Sequence, residues 1–230
     1  MKMRALKRLN AIADLIDSAN VVADIGCDHG YLGKMLIKSS KAEKIIAIDL
    51  KGQSLAKAEK LAHKCHIQDK VELRLGDGLF PLQDYEADVV VIAGLGGHTI
   101  VDILKQKELV GVKEYIFQPA QKSDFLKRYL QENKFKIICD FIVKDKNKFY
   151  NTIKAVKCEK NIKLSDEEIL FCLTDFNQYY IDLLEYIDLF IERKECINGG
   201  NKNLVNLQEI EIAKKLKNKI LNKDMEKCKK

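Results

Sequence analysis

Three aspartates and several glycines are spaced so that an alternating strand–helix fold would gather them. Asp24 stands in the apolar run 21–25, just before Gly26, and Asp49 closes a second apolar run. Asp77 sits in Gly76-Asp77-Gly78, and Gly94-Leu95-Gly96-Gly97 follows a further run. In a doubly wound sheet, ligands bind at the carboxyl ends of strands, where the strand order reverses. Asp49 lies 23 residues after Gly26. That is the spacing of an acid accepting from two ribose hydroxyls, for which a carboxylate has two oxygens.

The first loop decides which nucleoside fits. A dinucleotide site needs Gly-x-Gly-x-x-Gly, so that a pyrophosphate can lie on a helix N-terminus. Here the loop is Gly26-Cys27-Asp28-His29-Gly30. The middle glycine is missing, and Asp24 and Asp28 would repel phosphate. A cofactor carrying an ammonium and a sulfonium would be attracted instead, which points to S-adenosylmethionine. Asp24 then faces its methionine end, with Gly26, Cys27, His29 and Gly94 lining the same notch. Asp49 takes the ribose, and Asp77 with Gly78 the adenine. The loop at 94–97 lacks the Asn/Asp-Pro-Pro-aromatic sequence of exocyclic amine methylation and a Pro-Cys pair for attacking a pyrimidine. It offers backbone and space, which suits an acceptor that already has a lone pair, such as a ring nitrogen.

The elements that must position these residues can be read from periodicity. Apolar strands are expected at 21–25, 45–49, 71–75, 88–93 and 115–118, with helices near 31–38, 51–65, 97–107 and 122–132. Continuous apolar strands alternating with helices mean parallel strands covered on both faces. Runs 136–143 and 149–156, joined by Lys144-Asp145-Lys146-Asn147, predict a closing antiparallel hairpin. A short amphipathic helix with Leu6, Leu9, Ile12, Ala13 and Ile16 inward comes first.

The tail has a different rhythm. Ile169, Leu173, Phe176, Tyr180, Leu183, Ile187 and Phe190 follow 4-3 spacing, a heptad seam within one helix started by a Ser165/Glu168 capping box. Asn198-Gly199-Gly200-Asn201 breaks it, and a second helix follows with Leu204, Leu207, Ile210, Ala213, Leu216 and Ile220 inward. An antiparallel hairpin is the simplest packing. The expected division is 1–160 for the α/β domain and 161–230 for a helical, coiled-coil-like domain. The basic end, 214–230, could pair with the acidic first helix or meet a phosphate.

Composition narrows the class. Residues 1–158 hold 27 Lys+Arg against 20 Asp+Glu, and residues 159–230 hold 13 against 14. The excess on the first part favours a polyanionic partner. Lys2, Arg4, Lys7 and Arg8 on the first helix are candidate phosphate contacts. No run reaches the roughly 18 apolar residues of a membrane helix, and no signal peptide is expected. The seven cysteines, Cys27, Cys65, Cys139, Cys158, Cys172, Cys196 and Cys228, are scattered without Cys-x-x-Cys, as for reduced cytoplasmic thiols. His63, Cys65 and His66 lack a fourth ligand at a usual spacing and read as helix surface, so no metal is expected. The chain is expected to act as a monomer.

The stretches Arg4-Ala5-Leu6-Lys7-Arg8-Leu9, Val22 to Leu32, Leu75-Gly76-Asp77-Gly78-Leu79, Ile92 to Gly97, Phe117-Gln118-Pro119 and Phe149-Tyr150 together resemble the bacterial tRNA (adenine-22-N1)-methyltransferases. The resemblance covers roughly residues 4–158 and extends to the helical tail. It implies a class I methyltransferase with a Rossmann-like, seven-stranded, mostly parallel sheet. The activity implied is methyl transfer from S-adenosylmethionine to N1 of an adenine in the D-arm region of tRNA. Two departures stand out: Ala120 replaces the family's frequent asparagine after Gln118-Pro119, and Cys27 replaces a common serine. Under this reading Asp28, His29, Tyr31 and Gln118 are the catalytic candidates. Asp28 would stabilise positive charge on the methylated ring or simply shape the turn. His29 would bond the cofactor carboxylate or the base, and Tyr31 and Tyr150 would stack on the base or pack. His98 would cap the helix after the glycine loop or line the pocket. Other readings keep the cofactor with a small-molecule or protein acceptor, or make the chain a non-catalytic RNA-binding module. A nicotinamide oxidoreductase fits the first loop worst.

Overall fold

The computed structural model describes residues 7–172, 179–198 and 203–227. The described strands form one seven-stranded sheet: β1 (Ala19–Ile25), β2 (Ala42–Asp49), β3 (Val71–Leu75), β4 (Val89–Ala93), β5 (Glu114–Gln118), β6 (Phe135–Asp145) and β7 (Lys148–Lys157). Their order is β3-β2-β1-β4-β5-β7-β6. The first five pair in parallel, while β7 runs antiparallel to β5 and β6. The order reverses between β1 and β4, where a crevice opens at the carboxyl ends.

Period-two alternation sorts each central strand into two cores. Ala23, Ile25, Ile46, Ile48, Val90, Ile92 and Phe117 pack on one face, beneath helices α4 (Gly97–Gln106) and α5 (Ser123–Glu132). Val22, Ile45, Ala47, Val89, Val91 and Ile116 pack on the other. That face is covered by α1 (Lys7–Asp14), α2 (Tyr31–Lys38) and α3 (Gly52–Lys64). Burial on both faces is why these strands read as unbroken apolar runs. The hairpin strands run longer than expected, leaving Lys146 and Asn147 as a two-residue turn.

The tail differs from the single seamed helix that its spacing suggests. The capping box is present: Ser165 Oγ accepts from Glu168 N at 3.3 Å, and Glu168 Oε2 accepts from Ser165 N at 2.7 Å. The helix it starts, α6 (Asp166–Leu170), ends after five residues. Phe171 leaves helical geometry and is buried with Cys172 against Ile142 of β6. The Glu168 and Phe171 carbonyls are taken by the buried Lys127 ammonium, at 2.9 and 2.8 Å. A new helix, α7 (Tyr180–Asn198), pairs with α8 (Leu204–Lys227). Leu183 and Ile187 meet Ala213, Leu216 and Ile220 in the core, and Ile210 is buried too. Leu204 and Leu207, expected inward, are exposed: they start α8 beside the last turn of α7, where Ile197 is itself exposed. Leu173, Phe176 and the break at 199–201 lie outside the described residues. The basic end pairs with the acidic helix, through Lys214–Glu195 at 2.9 Å and Lys217–Asp188 at 2.6 Å.

Candidate active site

A cavity of about 510 Å³ opens at the strand-order reversal. Its wall contains Asp24, Gly26, Cys27, Asp28, His29, Tyr31, Asp49, Asp77, Gly78, Gly94 and Arg8. The β-strand ends thus gather the acids and glycines that the spacing singles out. Gly26, at φ +74°, turns the chain out of β1 while its N–H donates to the Ile48 carbonyl at 2.8 Å. Without a Cβ it adopts that left-handed conformation at no steric cost.

Asp49 is held by backbone on both sides. Its Oδ1 accepts from Lys51 N at 2.8 Å and its Oδ2 from Asp28 N at 3.1 Å. Each oxygen keeps a second lone pair for a hydroxyl donor. Asp24 is different. It is 5% exposed, and burial, with the nearby Asp49 carboxylate adding to it, pushes its carboxyl up to about 7. A carboxylate whose ionisation burial makes this costly is suited to a cationic ligand group that would compensate it. Burial, with Asp24 and Asp49 close by, pushes the Cys27 thiol up as well, so Cys27 lines the notch as a protonated group.

At the turn, His29 Nδ1 lies 2.6 Å from Asp28 Oδ2, and the His29 ring stacks parallel to Tyr31 with centroids 5.6 Å apart. Four aspartates in the wall against Arg8 and Lys51 leave it acidic. This donor set fits an ammonium- and sulfonium-bearing nucleoside. Asp49 and Asp77, on the β2–β3 side, would hold ribose and adenine, and Asp24 would hold the amino-acid end. Gly94, at φ +78°, has open space where a Cβ would stand, so the β4 side keeps room for an acceptor.

Two sequence candidates are placed elsewhere. Gln118 is fully buried at the end of β5 and outside the cavity wall. Its Nε2 donates to the Arg8 carbonyl and to Thr152 Oγ1, both at 2.9 Å. It thus sits behind Arg8, whose carbonyl it holds, and does not line the cavity. Lys7 is not in the wall either, because Asp182 captures its ammonium at 2.7 Å. Lys2 and Arg4 lie outside the described residues. Tyr150 carries the Arg8 guanidinium 5.7 Å over its ring, and His98 packs on Phe125, with centroids 4.0 Å apart. Among the described residues no cluster of three or more His, Cys, Asp or Glu could hold a metal, and no helix is long and apolar enough to cross a membrane.

Sequence reasoning missed Lys51, Ser54 and Thr99 in the wall. Lys51 stood two residues past a recognised acid and was within reach of the same argument; Ser54 and Thr99 carry no spacing signal.

A methyltransferase-domain family model matches residues 5–153. The tRNA (adenine(22)-N(1))-methyltransferase of Bacillus subtilis is 30% identical over 156 residues. The match covers 67% of this chain and 66% of that protein, just under two thirds of the relative's length. Streptococcus pneumoniae Sp1610, in complex with S-adenosyl-L-methionine, matches with a TM-score of 0.81 at 25% identity, over 92% of this chain and 98% of its own. M. capricolum TrmK, in complex with the cofactor product S-adenosyl-homocysteine, matches with a TM-score of 0.75 at 27% identity, over 94% and 95% of the two chains.

Proposed function

From its membership of the methyltransferase-domain family, in which this chain belongs with the tRNA (adenine-22-N1)-methyltransferases, we propose that it methylates N1 of adenine 22 in the D-arm region of tRNA. The observation that carries the reading is the acid-lined notch, with buried Asp24 at its base and open space at Gly94. S-adenosylmethionine, when bound, supplies an electrophilic methyl group on a sulfonium. Asp24 holds the cationic amino-acid end, Asp49 the ribose and Asp77 the adenine. The substrate N1 already carries a lone pair, so the chain need only expose the base edge and orient it. Methylation leaves the substrate ring positively charged. The Asp28 carboxylate at the mouth, 2.6 Å from His29 Nδ1, stabilises that developing charge. The His29–Tyr31 stack offers an aromatic face beside it.

We read residues 1–160 as the catalytic unit and 161–230 as a helical appendage, working as a cytoplasmic monomer. The described cysteines are free thiols.

The test is purified protein with methyl-labelled cofactor and unmodified tRNA. Label should appear as 1-methyladenosine at position 22 and vanish from a transcript with guanine there. Label in protein or small molecules alone would point to a different acceptor. Asp28→Asn is expected to lower kcat about 10- to 100-fold while leaving the cofactor Kd within about twofold. Asparagine tolerates the φ of +47° at this position, so the turn survives and only the charge is lost.

A further inference from the structure

The acceptor side of the cavity is walled by the first turn of α1, which contributes Arg8 and Leu9. That turn is poorly suited to support itself. Only eight residues of the helix are described, Lys7–Asp14, and a single segment of that length is too short for stability alone. Its supports come from distant segments. Arg8 N donates to Asp145 Oδ2 at 3.4 Å, and the Arg8 carbonyl accepts from Gln118. The strongest charged contact comes from the tail: Asp182, in the first turn of α7, takes the Lys7 ammonium at 2.7 Å. The same Asp182 Oδ2 accepts from Lys144 N of β6 at 2.8 Å. Only 9% of Asp182 is exposed. Next to it, Tyr179 stacks on Phe141 with centroids 4.7 Å apart and donates its hydroxyl to Asp14 Oδ2 at 3.2 Å. One buried carboxylate therefore ties together α1, the β6–β7 hairpin and α7.

We infer that Asp182 is a positioning residue for methyl transfer: through Lys7 the tail braces the start of α1, so that Arg8 presents its guanidinium to the target nucleotide. The inference rests on the proposed reading of the cavity. It makes the tail a support of the active-site wall, whatever else the tail contacts.

Asp182→Asn keeps an acceptor for Lys144 N and removes the charge that holds Lys7. In the full chain it should lower kcat/KM for tRNA about tenfold, leave S-adenosylhomocysteine affinity within about twofold by calorimetry, and speed amide exchange across residues 8–14. Lys7→Met should reproduce the loss, and the double variant should be no worse than either single one, because both remove the same contact. Unchanged exchange in α1, or single losses that multiply in the double variant, would overturn the brace. Multiplying losses would mean that Lys7 meets the RNA independently. Lys7→Met supplies the exchange measurement should Asp182→Asn not fold. A wild-type protein that methylates no adenosine would remove the functional reading, while the exchange experiment would still decide the brace.

Discussion

At pH 8, Asp24→Asn is expected to melt at a higher temperature than the wild-type apoprotein and to lose most of its affinity for S-adenosylmethionine. The two effects have one cause. The Asp24 carboxyl, normally near 3.8, is pushed up to about 7 by burial and by Asp49. Between those values the folded chain holds a proton that the unfolded chain has released, so stability falls as pH rises. Above about 7 the full cost applies. A shift of this size corresponds to something of order 4 kcal/mol, an upper figure since the cavity can admit water. Asparagine has no charge to bury, so the variant escapes that cost. Thermal melts at pH 5 and pH 8 check it: the variant's advantage should shrink at the lower pH and be clear at the higher.

Binding runs the other way. A buried carboxylate facing an ammonium is worth about 2–5 kcal/mol when one partner is removed, about 30-fold to several thousandfold in Kd. Wild-type affinity should rise as pH climbs through about 7, because the carboxyl must ionise to meet the cation. It should fall again once the ligand's own amino group, with a pKa of about 8, loses its proton. Calorimetry in buffers of different ionisation enthalpy should show a proton released on binding below pH 7. A flat pH profile, or an Asp24→Asn protein that binds normally, would remove Asp24 from the cofactor's cationic end.

What the sequence revealed depended on whether a residue's role was local. Asp24, Asp49, Asp77 and Gly94 were legible because strand ends are set by apolar alternation, and parallel topology brings all such ends to one edge. The antiparallel finish was legible from two runs separated by a polar turn. The partners of Lys7 and Gln118 were not legible, because they lie far away in the sequence. Nothing near Lys7 in sequence announces its ion pair with Asp182, 175 residues away. Nothing near Gln118 in sequence announces that its amide donates to the Arg8 carbonyl and Thr152. The seam from Ile169 to Phe190 has helical spacing throughout, and nothing local in it announces the stop at Leu170. At the stop, carbonyls are met from α5 by a lysine in a stretch, Leu126-Lys127-Arg128-Tyr129, that reads as ordinary helix surface.

That lysine carries the largest expected loss of stability. Lys127 is fully buried, and its ammonium lies 2.6 Å from Asp140 Oδ2 as well as bonding the Glu168 and Phe171 carbonyls. Asp140 also accepts from Asn151 Nδ2 at 2.6 Å, and Asn151 reaches the Phe171 carbonyl at 3.3 Å. The cluster joins α5, β6 and β7 to the end of α6, and satisfies carbonyls that the interrupted helix leaves without amide partners. Lys127→Met keeps the length and apolar stem of the side chain but leaves the Asp140 carboxylate without its counter-charge and removes a donor from the Glu168 and Phe171 carbonyls. The expected cost is about 3–5 kcal/mol in denaturant unfolding, because the orphaned charge, more than the lost attraction, sets the penalty. Adding Asp140→Asn should therefore recover part of the loss, as a neutral amide is cheaper to leave unpaired. In the single variant, amide exchange should rise first across residues 166–172, ahead of β1 and β4, because the tail is fastened there while the central strands keep their two cores. A cost under about 1 kcal/mol, or no recovery in the double variant, would show that apolar packing around Ile142 and Phe171 anchors the tail without the ion pair.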